Sequence, residues 1–292
     1  REGWDVLVVD NLSSGYLDNV PAHAEFLWMD LTDEDAVNIL PKGTFDAVFH
    51  LASHVGQELS FQRPVYDLKA NAVATLQLLQ WCVKHGVQRF IFASSVNVYG
   101  NATEMPIRES APVVPPSPYA VGKLASEHLC KIYQGFGINT SVLRLFNVYG
   151  PRQDMRNMLQ GMASIYMSYV ARKEPILVRG SQDRFRDFSY VDDVTDAFYR
   201  CLDERAVGKI YNVASGRKTY VRDIIEIIIK AFGADPASYP IISGEPTTND
   251  QFGFYGDSTK IRDELGWRPR VGLEEGIAKM AQWVISEGFF TS

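Results

Sequence analysis

Five short strand-like runs separated by helix-like segments constrain this chain more than any other feature. They are Asp5–Asp10, Glu25–Met29, Asp46–His50, Val87–Phe92 and Asn139–Leu145. Between the last three, Pro64 opens an amphipathic helix through about Val83, and a second helix is predicted from Tyr119 to about Gln134. Strands that alternate with helices pack as a parallel, doubly wound sheet, so the chain is predicted to be α/β. After Asn147 the alternation breaks. The later part is predicted to hold a helix from Met155 to about Arg172, a strand at Arg186–Val191, and helices at Val221–Phe232 and Leu273–Ile285. Residues 1–147 with 190–212 are therefore expected to form one domain. Residues 148–189 with 213–292 are expected to form a smaller mixed α/β one.

Open parallel sheets bind ligands at the carboxyl ends of their strands, and polar or small residues gather there. Asp10 ends the first run and leads into the turn Asn11-Leu12-Ser13-Ser14-Gly15. In a Rossmann-like fold an acid at that point bonds the adenosine ribose hydroxyls and favours NAD over NADP. Asp30, followed by Leu31, either accepts from the adenine amino group or caps the segment Thr32-Asp33-Glu34-Asp35. The small residues of Leu51-Ala52-Ser53 let backbone approach a ligand closely. Asn71 is either a polar surface residue or a group that positions a ligand or a strand. Arg1-Glu2-Gly3 reads as the tail of a preceding helix. A first strand and glycine-rich turn, roughly 25–30 residues in a βαβ unit, are thus expected to lie outside this sequence or to be missing from the protein.

The stretch Ile91–Lys123 carries the chemistry. It runs Ile91-Phe92-Ala93-Ser94-Ser95, then through a proline-rich loop to Pro118-Tyr119-Ala120-Val121-Gly122-Lys123. Tyr119 and Lys123, four apart, share one helix face. An ammonium beside a phenol is expected to lower a pKa that starts near ~10, which suits proton exchange with a sugar hydroxyl. With 14 tyrosines and Lys at about one residue in twenty, such a pair arises by accident in roughly half of chains like this. Order adds the information: strand-end serines, loop, then the Tyr helix.

Bulk properties exclude other classes. Net charge is -6, which leaves no basic footprint for nucleic acid. No apolar run reaches the ~18 residues of a membrane span. Cys82, Cys130 and Cys201 lack CxxC spacing, so they are expected to be buried free thiols of a cytoplasmic protein. No metal site is expected.

Taken together, several segments resemble the extended short-chain dehydrogenase/reductase family, in its nucleotide-sugar epimerase/dehydratase branch. They are Val9-Asp10-Asn11-Leu12-Ser13, His50-Leu51-Ala52, Ser95 with Val98-Tyr99-Gly100, Tyr119-x-x-x-Lys123, Arg144 through Gln153, Arg186 through Asp193, and Leu265-Gly266-Trp267-Arg268-Pro269. The resemblance implies a catalytic triad of Ser95, Tyr119 and Lys123. It implies NAD held by Asp10, Asn11, Ser14, Gly15, Asp30, Leu31, Leu51, Ala52, Ser53, Asn71, Ala93 and Phe146 along with Tyr119 and Lys123. Ser95, Asn147, Arg186 and Asp250 would hold a nucleoside-diphosphate sugar. A homodimer through the helices at 64–83 and 119–134 is implied as well.

Dehydratases of that branch carry an Asp-Glu pair after the serine or threonine, and the related decarboxylases keep a Glu. Here Val96 and Asn97 stand in those places. A site without the extra acid and base moves only hydride and one proton, which predicts epimerisation at sugar C4, with UDP-glucose and UDP-galactose as the expected pair. The family's diphosphate-gripping arginine is replaced in Thr247-Thr248-Asn249-Asp250; Arg179 or Arg184 is either its substitute or an exposed turn residue. Phe254 falls where bulk disfavours N-acetyl sugars. The alternatives are a sugar-nucleotide oxidoreductase or 4-keto reductase, and a non-catalytic scaffold.

Overall fold

A computed structural model describes residues 3–289 except 34, 44, 55, 160 and 247–250, and the side chain of residue 57. The chain opens with strands β1 (Leu7–Asp10), β2 (Glu25–Trp28) and β3 (Ala47–His50). Helices α1 (Gln57–Gln62), α2 (Pro64–Leu68) and α3 (Ala74–His85) follow, the last two joined by a π turn at Lys69–Val73. Next come β4 (Arg89–Ser95), α4 (Pro118–Tyr133), β5 (Asn139–Leu145) and β6 (Asn147–Tyr149).

The second half holds α5 (Met162–Ala171), β7 (Ile176–Arg179), β8 (Phe185–Arg186) and β9 (Phe188–Tyr190). It continues with α6 (Val191–Arg200), β10 (Ile210–Val213), β11 (Thr219–Tyr220) and α7 (Val221–Ala231). It ends with β12 (Ile241–Gly244), α8 (Thr259–Leu265) and α9 (Leu273–Glu287).

The main sheet runs β10-β5-β4-β3, all parallel. Every residue of β4 is buried, as expected of a central strand covered on both faces. Helices α3 and α4 cover one face: Leu78, Leu79 and Cys130 pack with Phe90, Phe92 and Val142. On the other face Val194 and Phe198 of α6 and Ile261 and Leu265 of α8 join Trp267 against Ile91, Leu143 and Val213. Strands β1 and β2 pair with each other, in parallel, and among the described residues share no ladder with β3. Val9 and Leu27 nonetheless pack on the same core as α3.

The second core lies under α5, α7 and α9. In α7, Val221, Ile224, Ile225, Ile228 and Ile229 are buried, the one-face spacing of an amphipathic helix. Helix α5 starts at Met162 and not at the expected Met155, because Gly161 precedes it at φ +88. Met155 is instead folded back, its carbonyl accepting from Ser168 Oγ at 2.6 Å. The expected strand at 186–191 divides into β8 and β9, and Val191 already begins α6. All three cysteines are free and buried. Among the described residues no helix is long and apolar enough to cross a membrane.

Candidate active site

The site is built where β4 ends and α4 begins. Ser95 closes the strand, and its Oγ accepts from Asn97 N at 3.2 Å to start the 3-10 turn Val96–Tyr99. Ser117 caps α4 by accepting from Ala120 N at 3.3 Å, and Pro118 takes the first helical position, where its missing N–H costs nothing. This start sets Tyr119 and Lys123 on one face, and both are buried together with Ser95.

Their ionisation differs from the sequence expectation. Burial pushes the Tyr119 phenol up to about 12, against the neighbouring Ser95 side chain, which favours the ionised form. The neighbouring Lys123 does not bring it below its ordinary value. Lys123 Nζ donates to the Ala93 carbonyl at 2.8 Å and sits 5.8 Å from the Tyr119 ring centroid. Burial also pushes Lys123 itself down to about 7, although the carboxylates of Asp67 and Glu127 oppose the shift. Desolvation dominates both shifts because both groups are almost fully withdrawn from water.

A polar frame holds these groups; the sequence reading named its Ser53 and Asn71 and missed its His54, Asp67 and Glu127. Ser53 Oγ donates to Asn71 Oδ1 at 2.6 Å, and Asn71 Nδ2 donates to the His54 carbonyl at 3.1 Å. Asn71, on the π turn, is thus a buried clamp on the loop after β3, not a surface residue. π turns of this kind recur at functional sites. Gly122 allows the clamp to approach α4, since a Cβ there would lie 2.9 Å from Asn71 Cβ. His54 Nδ1 pairs with Asp67 Oδ1 at 2.8 Å. Glu127, one turn beyond Lys123, pairs with Arg144 at 2.7 Å and accepts from Ser94. The spacings 67/71 and 123/127 were the available signal for both. His50, pushed down to about 3 by burial, is neutral and bonds Thr75 Oγ1 at 3.0 Å.

The other candidates fall into two groups. At the end of β1, Asp10 Oδ1 accepts from Leu12 N at 2.6 Å, and Gly15 lies against the same carboxylate. Ser14 is exposed. Asn11 Nδ2 donates to Asp30 Oδ2 at 3.1 Å, while Asp30 Oδ1 accepts from Thr32 N and Oγ1 at 2.8 and 2.7 Å. Burial opposes, but these bonds win and hold the Asp30 carboxyl below its ordinary range. Asp30 closes the local turn, as the capping reading expects, and its bond to Asn11 ties the β1 and β2 ends together. Leu31 packs on the core beneath. Leu51 and Ala52 are exposed, and Ser53 is half-buried.

The second group lies at β6, β8 and the 252–256 segment. Asn147 Nδ2 donates to the Asp187 carbonyl at 2.9 Å. Buried Arg186 donates to the Phe185 carbonyl at 2.8 Å and stacks its guanidinium 4.8 Å from the Phe254 ring centroid. The Phe146 ring is buried edge-on against Phe254, 6.0 Å away, and against Gly256. The fully buried Asp187 carboxylate draws the strands and loops together, accepting from Ser215 N, Gly216 N and Gly256 N at 2.8, 2.9 and 3.1 Å. Arg184 is buried and donates to the Ser181 and Arg179 carbonyls, whereas Arg179 is exposed. Asp250 lies outside the described residues.

The sequence profile of the "NAD dependent epimerase/dehydratase family" matches residues 1–214. A putative UDP-glucose 4-epimerase of Methanocaldococcus jannaschii is 31% identical over 97% of this chain and 92% of its own length. The UDP-glucose 4-epimerase of Mycolicibacterium smegmatis is 33% identical over 97% of this chain and 91% of its own. Among solved structures, the UDP-glucose 4-epimerase of Thermotoga maritima with UDP-glucose superposes with a TM-score of 0.92 at 32% identity, covering 98% of this chain and 92% of that one. The UDP-glucose 4-epimerase of Thermus thermophilus in complex with NAD gives 0.87 at 32% identity, covering 96% and 91%.

Proposed function

The chain belongs to the NAD-dependent epimerase/dehydratase family, and from that premise we propose that it inverts C4 of a nucleoside-diphosphate sugar through a transient 4-keto intermediate. One observation carries the choice of reaction. The turn after Ser95 offers buried Val96 and then Asn97, whose N–H is held by Ser95 itself, so no acid or base for water loss stands there. UDP-glucose and UDP-galactose are the proposed pair, and the bulk of Phe254 favours a plain hexose over an N-acetyl sugar.

The residues present suit NAD by donor chemistry. Asp10 Oδ2 accepts no hydrogen bond among the described residues, leaving a carboxylate oxygen for ribose hydroxyls. Lys123 spends one donor on Ala93 and an ammonium has three. Asp10, Asn11, Ser14 and Gly15 would hold the adenosine ribose, and Asp30 and Leu31 the adenine. Leu51, Ala52 and Ser53, fixed by Asn71, would flank the dinucleotide, with Ala93, Tyr119 and Lys123 at the nicotinamide ribose. When bound, NAD supplies a hydride acceptor that is regenerated in each cycle, and a cationic ring that favours the phenolate.

Ser95 orients the 4-hydroxyl. Tyr119 takes its proton and later returns one to the C4 oxygen, while the hydride comes back to C4 on its other face. Lys123 supports the phenolate charge. Asn147 and Arg186 would grip the diphosphate and Asp250 the nucleoside ribose, so the sugar is free to turn over. In this arrangement residues 1–147 with 190–212 bind the dinucleotide and 148–189 with 213–292 the substrate. A homodimer through α2–α3 and α4 is part of the proposal, supported by exposed Val65, Leu68 and Val73 on one side and Val121 and Ile132 on the other. Residence in the cytoplasm, supported by the three free thiols, belongs to it too.

The test is incubation of the protein with UDP-, dTDP-, GDP- and CDP-sugars. The C4-inverted product is expected by NMR without net change at the reduced-nicotinamide absorbance. Turnover within a few-fold of the parent in Tyr119→Phe would refute the mechanism, and stoichiometric cofactor reduction would make the protein an oxidoreductase.

A further inference from the structure

We propose that Asp67 is a positioning residue of this site, a buried counter-charge that keeps Lys123 in its ammonium form and is itself anchored by His54.

Asp67 sits on α2, one helical turn before Asn71, and is 0% exposed. Its Oδ1 faces His54 Nδ1 at 2.8 Å, while Oδ2 is buried with no hydrogen-bond partner among the described residues. A buried carboxylate in that condition needs an opposite charge to compensate it. Helix α2 packs on α4, and the Asp67 charge acts on both Lys123 and Tyr119.

Seen from Lys123, the choice of counter-charge narrows to one group. Among the described residues its Nζ bonds only to the neutral Ala93 carbonyl, so compensation acts through space, from Asp67 and Glu127. Glu127 is already matched by Arg144 at 2.7 Å and by Ser94. Among the described residues no arginine bonds Asp67. The other titratable groups that face Asp67 among the described residues are His54 from the loop after β3 and Tyr119 from α4, while Glu58 of α1 and Arg63, Tyr66 and Lys69 lie on its own stretch of chain. Glu58, Arg63 and Lys69 are exposed, so water screens them.

His54 ties the device to the dinucleotide loop. Its ring is held by Asp67 and its carbonyl by Asn71 Nδ2 at 3.1 Å. The loop after β3 and the charge state of Lys123 therefore share one anchor. A negative charge at Asp67 favours the protonated form of both Lys123 and Tyr119. Removing it makes both groups lose their protons at lower pH.

The test reads Lys123 directly, in protein labelled with carbon-13 at lysine Cε, the signal assigned by its loss in Lys123→Arg. In Asp67→Asn the Lys123 midpoint is expected to fall by about one pH unit or more, and Asp67→Glu is expected to restore it. An unchanged midpoint in folded Asp67→Asn overturns the proposal. Should that variant not fold, His54→Lys pairs the carboxylate permanently and is expected to move the midpoint the same way; no movement there overturns it equally. The consequence for turnover rests on the epimerase reading: both limbs of the pH–kcat profile shift to lower pH together. The NMR midpoint is independent of turnover, so failure of either idea is seen separately.

Discussion

Arg144 grips Glu127 with two bonds, Nη2 to Oε2 at 2.7 Å and Nε to Oε1 at 2.9 Å, directly behind the β4 end that carries Ser95. Both side chains are at most 5% exposed, so water does not screen the pair. The guanidinium also lies 4.7 Å from the Tyr99 ring centroid. Arg144→Met strands a buried carboxylate and is expected to cost about 3–5 kcal/mol of stability, with much of the loss recovered in Glu127→Leu/Arg144→Met. Urea unfolding of the two variants checks this; equal losses would contradict the pairing argument.

Lys123 and Tyr119 give stability a definite pH dependence. Lys123 titrates at about 7 when folded and near ~10.4 when unfolded. Between those values the unfolded chain holds the extra proton, so stability rises with pH from about 7 to ~10. Tyr119, at about 12 when folded and ~10 when unfolded, reverses the trend above ~10, where the unfolded chain has lost a proton that the folded one keeps. Lys123→Met is expected to remove the rise, as urea midpoints at pH 6 and 9 will report.

Gly122 separates α4 from the Asn71 clamp. An added methyl would meet Asn71 Cβ at 2.9 Å, in a contact between two fixed helical segments. Gly122→Ala is expected to displace Tyr119 and lower kcat by about a hundredfold, the scale of a 1 Å misplacement. Activity within twofold of the parent would show that the helices part without moving the phenol.

Tyr16 reaches across from the loop after β1 to the segment after β6, where its hydroxyl donates to Asp154 Oδ1 at 2.8 Å. Asn19 adds a bond to the Arg152 carbonyl at 3.3 Å. Leu12 and Arg152, on the two joined segments, both hold positive φ, 54° and 72°, which costs a non-glycine residue about 1–3 kcal/mol. Tyr16→Phe is expected to speed release of bound NAD several-fold while changing stability by less than ~0.5 kcal/mol, as befits an exposed contact. Stopped-flow displacement and thermal unfolding measure the two quantities; an unchanged release rate would make the contact merely structural.

Periodicity and spacing alone determined the alternating elements, the acids at the ends of β1 and β2, and the Tyr119–Lys123 register, because each depends on local geometry that the residue order encodes. Val96 and Asn97 likewise announced in sequence that no acid–base pair follows Ser95. Only the tertiary structure decided what those groups are worth. The expected acidic phenol is a buried one at about 12 beside a lysine at about 7, since desolvation depends on what covers a side chain and not on its neighbours in the chain. It also decided that Asn71 clamps a loop, that Asp67 meets His54 across 13 residues, and that Arg144 meets Glu127 across 17. Such pairings form when separate elements pack, and no short-range pattern records them.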